Sequence, residues 1–96
     1  MTLESRIFEW DEEKAEINKH KHGVTFEKAM KVFDDKFRVE RYDELHSDEE
    51  DRWITIGIVD DILYVVYTER GDITRLISAR KATSRERREY NENRST

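Results

Sequence analysis

Between Arg52 and Arg80 the chain reads WITIGIV, ILYVVYTE and ITRLISAR, three apolar-rich runs broken by Asp60-Asp61 and by Arg70-Gly71-Asp72. Runs rich in β-branched and aromatic residues, separated by turn formers, predict an antiparallel meander. A two-residue loop at Asp60-Asp61 would pair Val59 with Ile62. It would gather Ile54, Ile56, Ile58, Leu63, Val65 and Tyr67 on one face. The second turn admits two registers. A two-residue loop at Gly71-Asp72 would send Leu76, Ser78 and Arg80 to that face. A three-residue loop, Arg70-Gly71-Asp72, would send Ile73, Ile77 and Ala79 there, with Gly supplying a left-handed residue. A one-residue slip exchanges the faces completely, so the apolar pattern must choose. The three-residue loop buries the better set. It leaves Thr68, Ser78 and Arg80 on a wetter face, with Arg70 at the adjoining turn. Arg75 then falls on the apolar parity and has to reach an edge or a carboxylate.

Upstream, Arg6 to Trp10 alternates and predicts a short first strand. Asp11 is placed as an N-cap, with Glu12 and Glu13 in the first turn. That helix runs to about Lys21 or His22, and Gly23 closes it in the left-handed conformation. Its apolar surface is little more than Ala15 and Ile17, so it should lie on the outside. Thr25 caps a second helix whose Phe26, Ala29, Met30 and Phe33 fall at i, i+3, i+4 and i+7, a stripe that should cover the apolar sheet face. Asp34-Asp35 ends it. Phe37 to Tyr42 alternates apolar and charged residues as a half-exposed strand does. Asp43 to Asp51 is an acidic loop, expected to be mobile. Thr83 and Glu86 fit a capping box that opens a last helix to about Asn91. Tyr90 is its only large apolar residue, which predicts loose attachment.

A chain of 96 residues is expected to form one domain, residues 1–96. The composition is 43% charged, yet ten aromatic residues argue for a packed fold rather than disorder. There is no Cys, so neither a disulfide framework nor a thiolate metal site arises. No apolar run approaches the roughly 20 residues of a membrane span, and the start lacks a signal peptide's pattern, so a cytoplasmic protein is expected. The net charge of −5 is uneven. Residues 70–94 carry eight basic and four acidic side chains, and the remainder is strongly acidic. That balance argues against general nucleic-acid affinity but permits a local phosphate site.

His20 and His22 invite a metal reading, but on a helix imidazoles separated by one residue diverge, and no Cys completes a tetrahedron. The acidic loop lacks the spacing and turn glycine of an EF-hand. The three glycines are isolated, so no phosphate-cradling loop forms, and no Ser sits in a nucleophile elbow. No cofactor is called for. What remains is the polar sheet face, with Arg70, Arg80, Lys81 and, nearby, His46, Glu69 and Arg52. Cleavage of RNA asks for a base to take the 2′-OH proton, cations for the charge growing at phosphorus, and an acid for the leaving 5′-oxygen. Arginines on strands supply permanent, preorganised charge. The competing reading is that these arginines simply pair with the abundant carboxylates.

The stretches FEWDEEKAEINKHKHGVTFEKAMKVFDD, HSDEEDRWITIG and TERGDITRLISARKATSRERREY, from Phe8 to Tyr90, resemble the BrnT family of bacterial toxins. The combination with ERGDITRLISARKAT is the specific part. The resemblance implies an α+β, RelE-like compact domain: a twisted, mostly antiparallel sheet of about four to five strands with two N-terminal helices and a C-terminal helix. It implies the toxin of a type II toxin–antitoxin module, a metal-independent endoribonuclease that blocks translation. Its partner would be a BrnA-type antitoxin with a ribbon-helix-helix DNA-binding part, the complex repressing its own operon. Carried onto this sequence, the catalytic set includes Arg80, Arg70 and Arg52. His46 and Glu69 are added as base or acid candidates, since an ordinary imidazole titrates near 6.5. Lys81 and Arg85 are candidates for RNA binding. The alternative function is a non-catalytic interaction protein that adjusts an antitoxin's DNA binding.

Overall fold

The computed structural model describes residues 6–96. Its elements are β1 (Ile7–Glu9), α1 (Glu12–His22), α2 (Phe26–Ala29), a 3₁₀ segment over Met30–Asp34, β2 (Val39–Tyr42), a 3₁₀ turn at Glu44–His46, β3 (Trp53–Val59), β4 (Asp61–Arg70), β5 (Ile73–Lys81) and α3 (Ser84–Arg94). The strands form one mixed sheet in the order β1-β5-β4-β3-β2. Only the β1–β5 pairing is parallel. The caps stand where the sequence puts them. Asp11 accepts from the Lys14 amide, Gly23 closes α1 at φ 71°, Thr25 accepts from the Lys28 amide, and Thr83 and Glu86 form the capping box of α3.

Register departs from expectation at both turns. Between β3 and β4 only Asp60 is unpaired: Val59 lies opposite Asp61 and Ile58 opposite Ile62. Asp60 takes a left-handed φ of 63°, which a short polar side chain tolerates better than a bulky one. The consequence is a one-residue slip. Ile54, Ile56 and Ile58 share a face with Ile62, Tyr64 and Val66, while Leu63, Val65 and Tyr67 face the other way. At the second turn the loop is Gly71-Asp72, with Arg70 opposite Ile73, rather than the three-residue loop. A bulge then changes the parity. Tyr67 faces Leu76, but Val66 faces Ser78 and Val65 faces Ala79, so Ile77 is the extra residue. Leu76 and Ala79 therefore both join the Val65 face, and Arg80 lies opposite Tyr64 on the other.

Both sheet faces are consequently covered. Under α1 and α2, Val24, Phe26, Ala29 and Val32 pack on Leu63, Val65, Tyr67, Leu76 and Ala79. Gly57 lets the 3₁₀ segment approach, because a Cβ there would meet Val32 Cγ1 at 2.8 Å. The weakly apolar α1 is docked by a polar clamp: buried Asn18 donates to the Val24 and Ala79 carbonyls and accepts from the Ala79 amide. On the other face Ile54, Ile56 and Ile62 receive Tyr90 from α3, which is 1% exposed.

The attachment of α3 is therefore firm rather than loose. The Tyr90 hydroxyl donates to Asp35 Oδ2 at 2.6 Å, and the same oxygen accepts from the Ile58 amide near the end of β3. Burial pushes the Asp35 carboxyl up, but the bonds from Tyr90, Ile58 and Phe37 outweigh it and hold it below its ordinary value. Arg41–Glu89, Arg80–Glu86 and Arg87–Asp61 ion pairs add further ties along the helix.

Candidate functional site

Three of the nominated side chains meet at one end of the sheet. His46, Arg52 and Arg70 line a concavity of about 460 Å³ together with Asp48, Glu49 and Glu50. Its wall is the segment after β2, which side chains tie down rather than leave mobile. Ser47 Oγ donates to the Asp43 carbonyl and accepts from the Arg52 amide, and Thr68 donates to the Asp51 carbonyl. Tyr42 donates to the Asp51 carboxylate at 2.9 Å.

Within this wall His46 Nδ1 lies 3.0 and 3.2 Å from the two oxygens of Asp43. The Asp43 side chain is 10% exposed and the imidazole 66%, so the carboxylate is sheltered while the ring opens to solvent. An acceptor carboxylate at Nδ1 selects the tautomer with the proton there, which in the neutral ring leaves the lone pair on Nε2. Across the concavity, Arg70 at the end of β4 pairs with Glu50 at 3.3 Å and approaches Glu9 at 4.0 Å. Glu9 in turn holds Arg75 at 3.1 Å, so Arg75 does find a carboxylate. Among the described residues no carboxylate stands within ion-pairing distance of Arg52. An anion entering here would meet one free and one exchangeable guanidinium beside an oriented imidazole.

The other nominated residues lie elsewhere. Arg80 shares the sheet face of Arg70, as expected, but lies outside this concavity, a correction to the expectation that the two act together. Its cross-strand partner Tyr64 is six residues from Arg70 along β4, roughly 20 Å at a strand's rise. The Arg80 guanidinium stacks 3.9 Å above the Tyr64 ring and is gripped by both Glu86 oxygens at 2.8 and 3.0 Å. Those hydrogen bonds raise its pKa. Burial pushes Glu86 up, but Arg80 and Thr83 outweigh it and hold it low. Glu69 faces the α1 side, bound to Arg6 at 3.3 Å and to Thr74. Lys81 approaches Asp61 at 3.9 Å. Arg85 lines a separate groove on α3 with Arg41, Arg88 and Glu89. Asp43 is the residue that sequence reasoning missed. Its spacing of three from His46 was visible, but nothing in the pattern marked it as buried.

Nothing among functionally curated proteins matches the chain. Among solved structures it is similar to the 1.1 Å crystal structure of the Brucella abortus ribonuclease toxin BrnT. The TM-score is 0.64 and the identity 25%, over 83% of this chain and all of that one. A family model described as the ribonuclease toxin BrnT of type II toxin–antitoxin systems matches residues 10–86. With most of its length matched, from Trp10 to Glu86, this chain belongs to the BrnT family of ribonuclease toxins, whose type II systems pair each toxin with an antitoxin.

Proposed function

We propose that the chain is a metal-independent endoribonuclease whose cleavage centre is the concavity of His46, Arg52 and Arg70. The observation that carries this reading is the buried Asp43 behind His46, which orients the imidazole with one nitrogen free beside two guanidinium groups. His46 Nε2 takes the 2′-OH proton of the substrate. The 2′-oxygen then attacks phosphorus, the bond to the 5′-oxygen breaks as that oxygen takes up a proton from solvent, and a 2′,3′-cyclic phosphate remains. Arg52 and Arg70 hold the non-bridging oxygens as charge grows on them, Arg70 exchanging Glu50 for phosphate. Glu69, bound on the opposite face, has no part in this centre, and Arg80 acts in holding α3.

Residues 1–96 are read as one RelE-like toxin domain. Cutting RNA would stop translation, and a BrnA-type antitoxin with a ribbon-helix-helix part would neutralise the toxin by covering the arginine-lined concavity, matching its charge and blocking substrate. The test is induction of the chain alone and together with its antitoxin, scored for growth and RNA integrity. Alone it should arrest growth and fragment RNA, and the antitoxin should restore both. Intact RNA with unimpeded growth would favour the interaction-protein reading instead.

A further inference from the structure

We propose that the concavity on the α1 side of the sheet, opposite the cleavage centre, is a subsite for single-stranded RNA. It would hold the substrate strand on either side of the cut. The inference rests on the ribonuclease reading for its choice of ligand, but on different residues. This hollow, about 820 Å³, is lined by Arg6, Lys31, Lys36 and Arg38 against the single lining carboxylate of Asp34. Arg38 is paired with Glu40 at 3.0 Å and Arg6 with Glu69, leaving the two lysines to supply the excess charge. The contrast with two other concavities decides its ligand class. The cleavage concavity sets two arginines against three carboxylates, and the α3 groove sets three against three. In a chain of net charge −5, this hollow is the positively charged one of the three.

Charge alone would suit any anion. The floor makes it suit a polynucleotide. Phe8, Trp10 and Phe33 all line the hollow and are only partly buried. Phe33 stands edge-on to Phe8 at 5.2 Å and to Tyr67 at 4.9 Å. The guanidinium groups of Arg6 and Arg38 approach the same Phe33 ring, at 4.9 and 5.0 Å from its centroid. Exposed Lys31 and Lys36 form no ion pair among the described residues. Unpaired bases need aromatic faces and their phosphates need cations within one nucleotide's reach, which is the combination this hollow offers.

The hollow lies around the end of the sheet from the proposed centre. Arg6 contacts Glu69, and the next residue in β4 is Arg70. Successive strand residues point to opposite faces, so a flexible strand leaving the Arg70 side meets Arg6 on rounding the end of the sheet. A duplex is too stiff to make that turn, which restricts the ligand to single-stranded RNA.

The experiment uses the full chain and a fluorescent 2′-O-methyl oligonucleotide, which lacks the nucleophilic hydroxyl and is bound without being cut. Wild type is compared with the Lys31→Ala/Lys36→Ala double variant over a range of salt. Losing two phosphate contacts should weaken binding roughly tenfold or more at about 0.1 M salt, and reduce the slope of log K against log salt by about 1.4. On a long cleavable RNA the variant should raise KM while keeping kcat. Unchanged affinity and slope would overturn the subsite, as would a wild type that does not bind the oligonucleotide. If RNA binding is unchanged but neutralisation by the antitoxin is lost, the hollow belongs to the protein partner and the subsite is again wrong. Lysine-dependent binding by a wild type that leaves RNA uncut would uphold the subsite and overturn the cleavage centre.

Discussion

Changing His46 to Gln is expected to lower RNA cleavage by roughly 10²–10⁴-fold, the range that a positioned general base contributes. Glutamine keeps most of the volume, and its amide can still donate to Asp43, so the tied segment from Asp43 to Arg52 should hold its shape. What it cannot do is accept the 2′-OH proton at neutral pH. The imidazole is mostly exposed, so the variant should melt close to the wild type. Cleavage assayed on a defined oligonucleotide, alongside a thermal melt, separates the two effects. A His46→Gln protein that cuts at the wild-type rate would remove the base from the proposed mechanism.

Truncating Tyr90 to Ala is expected to destabilise the fold by about 3–5 kcal/mol, as large buried aromatics do when removed. For a domain of this size that lowers Tm by roughly 12–40 °C. Tyr90 is the only large apolar side chain that α3 contributes, and it fills the space over Ile54, Ile56 and Ile62. Tyr90→Phe should cost far less, about 1–2 kcal/mol, because Asp35 keeps the Ile58 and Phe37 amides when the hydroxyl goes. Acid should act on the same contacts. Asp35 and Glu86 both have folded values below their ordinary 3.8 and 4.5. Their contribution is thus fully present above those values and is lost as the pH falls through the lower folded ones. Near-UV circular dichroism of the packed tyrosines, followed from neutral pH into the acid range, reports the undocking of α3.

How much of this was legible depends on which residues carried the information. Caps are local, and Asp11, Gly23, Thr25 and the Thr83–Glu86 box could be read directly because each acts within four residues. Register could not be read the same way. Where ILYVVY is apolar at both parities, alternation no longer marks an inner face, and the slip at Asp60 went undetected. The same doubly apolar runs are the reason that both faces need cover, which is why α3 is buried through Tyr90 rather than lying loose. The bulge at Ile77 was equally hidden, although it produced the expected outcome for Ala79 and Arg80 by a different route. Asn18 was invisible as a buried polar group, since only the tertiary fold brings Ala79 to it, and Asp43 because nothing local marks its burial. At the site, His46, Arg52 and Arg70 converge because the segment joining β2 to β3 packs beside the end of β4. Arg80 was grouped with them on the strength of face parity alone, and parity says nothing about position along the strand.

The most direct test sets Arg70→Ala against Arg80→Ala under identical conditions, measuring kcat on one RNA substrate with folded protein verified by its melt. Arg70→Ala should lose roughly 10²–10³-fold, the usual effect of removing one group that stabilises transition-state charge, and Arg80→Ala should stay within about tenfold of wild type. The reverse pattern, with folded Arg80→Ala inactive and Arg70→Ala cutting normally, would move the reaction to the Tyr64–Glu86 end of the sheet and contradict the assignment.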